Sequence, residues 1–209
     1  SVIYVVMAEE HRTKQVIRAA ARQQFAEHGY NAVSMREIAQ AVGKQPGGIY
    51  NHFPNKQSIL VDLMQENLVR AYEAVISPIK DTASPVQRLE MFVRGHVQYH
   101  IENPDDIFIA YMELRSLEAE GAAHIMAERD KYESALRNIL RDGLSADQFK
   151  LSDPAIHARS ILSMLGGVTV WFRQSGPQSS THVAECYVQA ALQSVAATYV
   201  AQNERQSDV

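Results

Sequence analysis

The stretch Ser34 to Lys56, SMREIAQAVGKQPGGIYNHFPNK, restricts the fold of this 209-residue chain more than any other. Ser34 and Glu37 stand at capping-box spacing: the hydroxyl can accept from the Glu37 N–H while the carboxylate reaches back to the Ser34 N–H. A helix therefore begins there. Ile38, Ala39 and Val42 give it an apolar stripe, and Gly43 can take the left-handed conformation that ends a helix. Pro46 suits the first turn of a second helix, where its missing N–H is not needed, and Gly47 and Gly48 hold no side chain against an approaching backbone. A plain helical hairpin would carry solvating Glu and Lys on the exposed face of its second helix. This one carries Gln45, Tyr50, Asn51 and His52.

That arrangement has the form of a DNA-reading helix-turn-helix. Thr13 to Leu60 resembles the DNA-binding domain of the tetracycline repressor family. The family's Ala-rich first helix, Phe followed by a Gly-Tyr step, Ile-Ala pair, turn Gly and Tyr-x-His-Phe-x-x-Lys ending are met by Ala19, Ala20, Phe25, Gly29, Tyr30, Ile38, Ala39, Gly43, Tyr50, His52, Phe53 and Lys56. Lys44 departs from the pattern, standing where the family usually places a small apolar residue. The resemblance implies that the second helix, opened by Pro46, enters the major groove, whose edges distinguish all four base pairs. Gln45 and Asn51 are the candidates for base contact, with the Gly47-Gly48 backbone and Tyr50 against thymine methyls. Ser34, Arg36, Tyr50, His52 and Lys56 are expected to hold phosphates, and Lys44 either adds a phosphate contact or loosens the turn. Tyr30, Ile49 and Phe53 are assigned to packing, and His52 divides evenly between packing and phosphate.

A net charge of −4 alone argues against a nucleic-acid binder, but the charge is unevenly placed. Residues 9–60 hold seven Lys and Arg against four Glu, a net of +3 that leaves −7 for the remainder. With 46% hydrophobic residues the chain can support a buried core. The single Cys186 excludes an intrachain disulfide framework, and no apolar run approaches the length of a membrane span, so a cytoplasmic setting is expected. Val2 to Val6 lacks the features of a leader, and Met7 looks like a natural start, so the first six residues are read as an extension without structural weight.

Helical periodicity recurs along the whole chain and strand alternation does not persist. Helices are expected over Thr13 to His28 with Val16, Ile17, Ala20 and Phe25 inward, from Asn55 to Ile76, from Ser84 to Asn103, from Asp106 to Leu117, from Gly121 to Leu144, from Asp153 to Phe172 and from Ser180 to Gln202. The expected fold is all-α, with about nine helices: a three-helix DNA-binding domain over 9–60, joined by a long helix hinged near Ile59 to Leu63 to a ligand-binding and dimerisation domain over 61–205. The last two helices carry more apolar residues than one buried stripe uses, namely Ile161, Leu162, Met164, Leu165, Val168 and Trp171, then Val183, Tyr187, Ala190, Ala191, Leu192, Val195, Ala197 and Tyr199. A homodimer through them would match a palindromic operator.

In the family, the helical body usually holds a small-molecule effector that sets the spacing of the two DNA-binding domains. Phe92, His96, Tyr99, Phe108, Tyr111, Met112, Arg115, Arg129, Tyr132 and Trp171 offer aromatic walls with polar anchors, or else an ordinary core. The region from Glu113 to Arg141, with Trp171 and Phe172, is similar to family members that sense acyl-coenzyme A thioesters. Arg115 and Arg129 then either meet a phosphate or carboxylate or form ion pairs with Glu118 or Glu133. No cofactor and no catalytic residue is expected. His96 and His100 stand one helical turn apart but lack a convincing third and fourth metal ligand, which leaves an all-helical metal-dependent hydrolase as the enzyme alternative. A DNA-binding activator without a ligand is the other alternative to a repressor.

Overall fold

The computed structural model describes residues 2–196, and among them every regular element is helical. The chain divides into two compact units, one formed by residues up to Ala74 with Tyr99–Tyr132, the other by Val75–Gln98 with the chain from Glu133 onward. The first unit is larger than the expected DNA-binding domain because Ile109 and Ile125 join its core.

That first unit contains α1 (Val2–His28), a 3-10 turn (Tyr30–Ala32), α2 (Met35–Ala41), α3 (Pro46–Tyr50) and α4 (Lys56–Val75). It also contains the end of α5 (Pro85–Glu102), α6 (Pro104–Met112), a second 3-10 turn (Leu114–Ser116) and the start of α7 (Ala119–Ser145). Ile17, Phe25, Ile38, Ile49, Leu60 and Ile125 are among its most deeply buried side chains, each contributing roughly 1.5–3 kcal/mol by leaving water. Ile59, Leu60 and Leu63, expected at a hinge, lie buried inside the unbroken α4.

Charged groups fix the packing of this core. Asp106, 6% exposed in the first turn of α6, accepts from Arg22 Nε at 2.6 Å and from Arg70 Nη2 at 2.5 Å. Arg22 also reaches Glu66 at 3.1 Å, and Arg18 grips both oxygens of Asp62, with Lys14 at 3.3 Å from the same carboxylate. Burial alone would push the Asp62 carboxyl up, but the hydrogen bond and charge of Arg18, supported by Lys14, outweigh it and hold the group below its ordinary value.

The second unit contains the start of α5, the end of α7, α8 (Pro154–Gly166), the single turn α9 (Val168–Trp171) and α10 (Ser180–Ala196). Arg88 ties α5 to α7 through Asp142 at 2.9 Å, and Arg94 ties α5 to α10 through Glu185 at 2.6 and 3.1 Å. Phe149 folds back over Gly143, where a Cβ would stand 2.0 Å from its Cδ2. The Lys150 N–H then bonds the Val195 carbonyl at 2.7 Å and joins this loop to α10.

Several boundaries differ from the sequence expectation for local reasons. The first helix begins at Val2 rather than Thr13, and Val16 is 48% exposed rather than inward. Pro104 takes the first helical position, so α6 starts before Asp106 and ends at Met112, with the Leu114–Ser116 turn where one continuous helix was expected. The helix from Asp153 breaks at Gly167 instead of running to Phe172. Ala197, Tyr199 and the expected end at Gln202 lie outside the described residues.

Gly143→Ala should lower stability by about 1–3 kcal/mol, the usual effect of forcing an extra methyl into a packed site, measured by urea unfolding. Asp62 makes a second expectation. A lowered folded value means that its contribution is complete above the ordinary Asp range and is lost as pH falls through the folded value. Between about pH 5 and 2 the unfolding midpoint of Asp62→Asn should therefore fall less than that of the wild type.

Candidate nucleic-acid interface

Local hydrogen bonds build the helix-turn-helix as its sequence predicts. Ser34 caps α2: its hydroxyl accepts from the Glu37 N–H at 3.3 Å, while Glu37 Oε2 accepts from the Ser34 N–H and hydroxyl, each at 2.7 Å. Those bonds from the Ser34 side chain and backbone hold the Glu37 carboxyl below its usual range. At the other end, the Lys44 N–H reaches the Ala39 carbonyl at 2.9 Å and the Gly43 N–H reaches Gln40 at 3.1 Å. With Gly43 at φ 67°, this is a Schellman ending, which turns the chain sharply into α3.

Helix α3 is short, and the core sets its orientation. Ile49 is fully buried and Phe53 nearly so, which leaves Gln45, Gly47, Tyr50 and Asn51 on the exposed side and His52 half-buried. Pro46 stands at the first helical position and the Gly48 N–H closes onto Gln45 O at 2.9 Å. Arg36 and Lys44 are exposed, and among the described residues the side chains of Arg36, Lys44, Gln45 and Asn51 make no hydrogen bond or ion pair. Lys44 Cβ lies 3.7 Å from the position a Gly48 Cβ would occupy, so the lysine stem borders α3 while its charge remains in solvent.

Lys56 is placed differently from its neighbours. Its ammonium donates to the carbonyls of Tyr30 and Val33, both at 2.8 Å, and lies 4.1 Å above the Tyr30 ring. Burial lowers its pKa, against the opposing charges of Glu113 and Glu37. Tyr30 is a junction that sequence reasoning missed beyond its packing role. Its N–H donates to Glu113 Oε1 at 3.0 Å, and its hydroxyl accepts from Gln57 at 2.8 Å. Gln57 also reaches Ser116 O at 2.7 Å and accepts from the Glu118 N–H at 3.1 Å, while Ser116 Oγ donates to Glu113 Oε2 at 2.7 Å. Gly29 precedes Tyr30 at φ 80°, a backbone conformation that favours glycine.

The expected effector residues divide between the two units. In the first, α6 turns Asp106, Ile109 and Glu113 inward and Phe108, Tyr111, Met112 and the following Arg115 outward, the three apolar ones being 40–50% exposed. Arg129 stands 5.4 Å over the Tyr111 ring and donates to Ala110 O at 3.3 Å, and the Tyr111 hydroxyl lies 3.5 Å from His100. Glu133, one of the two partners expected for Arg115 and Arg129, pairs instead with Arg137 and Arg159. Tyr99 is buried and bonds Asn67 Oδ1 at 2.8 Å, with burial pushing its pKa up to about 12. Burial also raises Tyr132 well above the ordinary tyrosine value. In the second unit Phe92 is fully buried and stacks on His96, while Trp171 is half-exposed and donates to the Tyr187 hydroxyl at 3.2 Å. Among the described residues, no group of three or more His, Cys, Asp or Glu is arranged to hold a metal ion, and no helix is long and apolar enough to cross a membrane.

Residues 17–63 match the family model described as bacterial regulatory proteins, tetR family, and residues 82–195 match the tetracyclin repressor-like C-terminal domain. A bacterial regulatory protein in the tetR family from Rhodococcus RHA1 superposes with a TM-score of 0.83 at 30% identity, covering 88% of this chain and 97% of that one. AibR, in complex with isovaleryl coenzyme A and operator DNA, superposes at 0.77 with 26% identity, covering 87% and 97%. The fatty acid metabolism regulator protein of Bacillus subtilis strain 168 is 28% identical over 136 residues, 65% of this chain and 70% of its own.

The left-handed turn supplies the test of this geometry. Gly43→Ala should destabilise the protein by about 1–2 kcal/mol, the strain of a side chain at positive φ, although the space around Gly43 is open. Thermal unfolding of the two purified proteins measures it.

Proposed function

The chain belongs to the tetracycline repressor family of bacterial transcriptional regulators, and from that membership we propose that it represses transcription as a homodimer on a palindromic operator and is released by a small hydrophobic or acyl-coenzyme A effector. The observation that carries the DNA part is the exposed row Gln45, Tyr50 and Asn51 on α3, held by buried Ile49 and Phe53 beside the exposed cations of Arg36 and Lys44. Gln45 and Asn51 reach base edges; Pro46, Gly47 and Gly48 let the backbone come close. Ser34, Arg36, Lys44, Tyr50 and His52 hold phosphates.

One reader covers few base pairs, and two-fold symmetry doubles the site. Support for a dimer through α8 and α10 comes from their apolar surface. Ile161, Leu165, Val183, Ala191 and Val195 are spent inside the second unit, while Ile156 is 62% exposed and Leu162, Met164, Tyr187 and Leu192 remain partly open. The acyl-coenzyme A class is supported by the solved complex of AibR with isovaleryl coenzyme A and by the outward face of α6, where Phe108, Tyr111 and Met112 offer apolar area beside Arg115 and Arg129. Regulation needs the effector to favour a DNA-incompetent state. Asp106 on the inward face of the same helix and Glu113 just after its end hold Arg22 and the Tyr30 N–H of the DNA-binding domain, so a displaced α6 moves that domain. The relatives are regulators rather than enzymes, and the protein acts where its operator lies, in the cytoplasm.

Gln45→Ala and Asn51→Ala should each weaken binding to a selected operator by about 1–3 kcal/mol and leave random duplex nearly unaffected, read by fluorescence anisotropy. Isovaleryl-coenzyme A or a longer thioester should release the operator. Tyr111→Ala with Arg129→Ala should blunt that release without changing DNA affinity.

A further inference from the structure

Lys56 opens α4, where the helix dipole disfavours a cation, yet it is held there by two carbonyl oxygens at 2.8 Å and by the face of Tyr30. Two of its three N–H donors are therefore committed within the protein. The acceptors are informative. Tyr30 O also closes the 3-10 turn by accepting from the Val33 N–H at 3.3 Å, and Val33 immediately precedes Ser34, the cap of α2. Lys56 thus fastens both ends of the segment that delivers the first turn of α2, where Ser34 and Arg36 are exposed. The far side of the segment is already fixed, because Glu113 holds the Tyr30 N–H and Gln57 holds its hydroxyl.

We propose that Lys56 is a positioning residue of the DNA site, setting the N-terminus of α2 through the Tyr30 and Val33 carbonyls rather than neutralising a DNA phosphate. The inference rests on the DNA-binding reading above. A lysine that neutralises phosphate releases counterions, so its loss flattens the salt dependence of binding by about 0.9 per contact. A positioning lysine leaves that slope in place and lowers the affinity for the correct sequence alone. Arginine separates the two roles, since it keeps the charge but replaces a compact ammonium with a planar fork that does not fit two carbonyls under a ring face.

The experiment uses the full chain as wild type, Lys56→Met and Lys56→Arg, with the duplex recovered by selection from random DNA and an unrelated duplex, across a series of salt concentrations. Both variants are expected to lose about tenfold or more in operator affinity, with non-specific affinity and salt slope unchanged. A flattened slope in Lys56→Met, with wild-type affinity retained in Lys56→Arg, overturns the positioning role and leaves DNA binding intact. If Lys56→Met does not fold, Lys56→Arg decides: wild-type operator affinity overturns the proposal, and weakened operator affinity at an unchanged slope supports it. Failure of the wild type to select any duplex overturns the DNA-binding reading and the positioning role with it.

Discussion

The first unit depends on the Asp106 carboxylate, which is almost closed to solvent and receives guanidinium groups from α1 and α4. A buried ion of this kind is stable only while both partners are present, and removing either leaves a charge poorly solvated in the interior. Arg22, Arg70 and Glu66 are accordingly arranged so that three helices meet with alternating charge. Hydrophobic burial alone would permit α6 to slide along α1. The carboxylate converts that apolar contact into one register.

Register matters because α6 is two-sided. Asp106 and Glu113 are two helical turns apart on one side, and each bonds a part of the DNA-binding domain, the first a side chain of α1 and the second the backbone immediately after it. On the other side Phe108, Tyr111 and Met112 are open. A helix pinned at two points cannot tilt at one end alone without breaking one of these hydrogen bonds. Packed interfaces of this type have discrete rather than continuous positions, the physical requirement for a switch.

What the sequence revealed follows from how far apart the interacting residues are. The cap at Ser34, the Gly43 turn, Pro46 at the start of α3 and Asp153 at the start of α8 depend on bonds within a few residues, and each is legible from spacing alone. Lys56 binds residues 26 and 23 positions away, Tyr30 and Glu113 are 83 apart, and Arg22 and Asp106 are 84 apart. Nothing in the local pattern around Glu113 or Gln57 distinguishes them from solvated surface residues. Lys56 was visible as part of a motif, but its partners are backbone carbonyls, which carry no sequence signal. The candidate effector residues are legible as a set of aromatic and polar side chains. Their division into an inward and an outward face of α6, with Phe92 in a core, required the fold.

Gly29 has a consequence for how this chain's domain could be exchanged. Its left-handed conformation precedes the Tyr30 N–H, which donates to the Glu113 carboxylate at the end of α6, so the DNA-binding domain borrows an acceptor from outside its own sequence. Transplanted onto a body lacking an acceptor at the Glu113 position, the same fifty-odd residues would carry a buried amide without a partner, a defect of about 1–3 kcal/mol. Exchange of this chain's domain is therefore constrained at a peptide group that lies outside α3. Substitutions on α3 leave this bond untouched, while wholesale exchange of the domain must bring its carboxylate along.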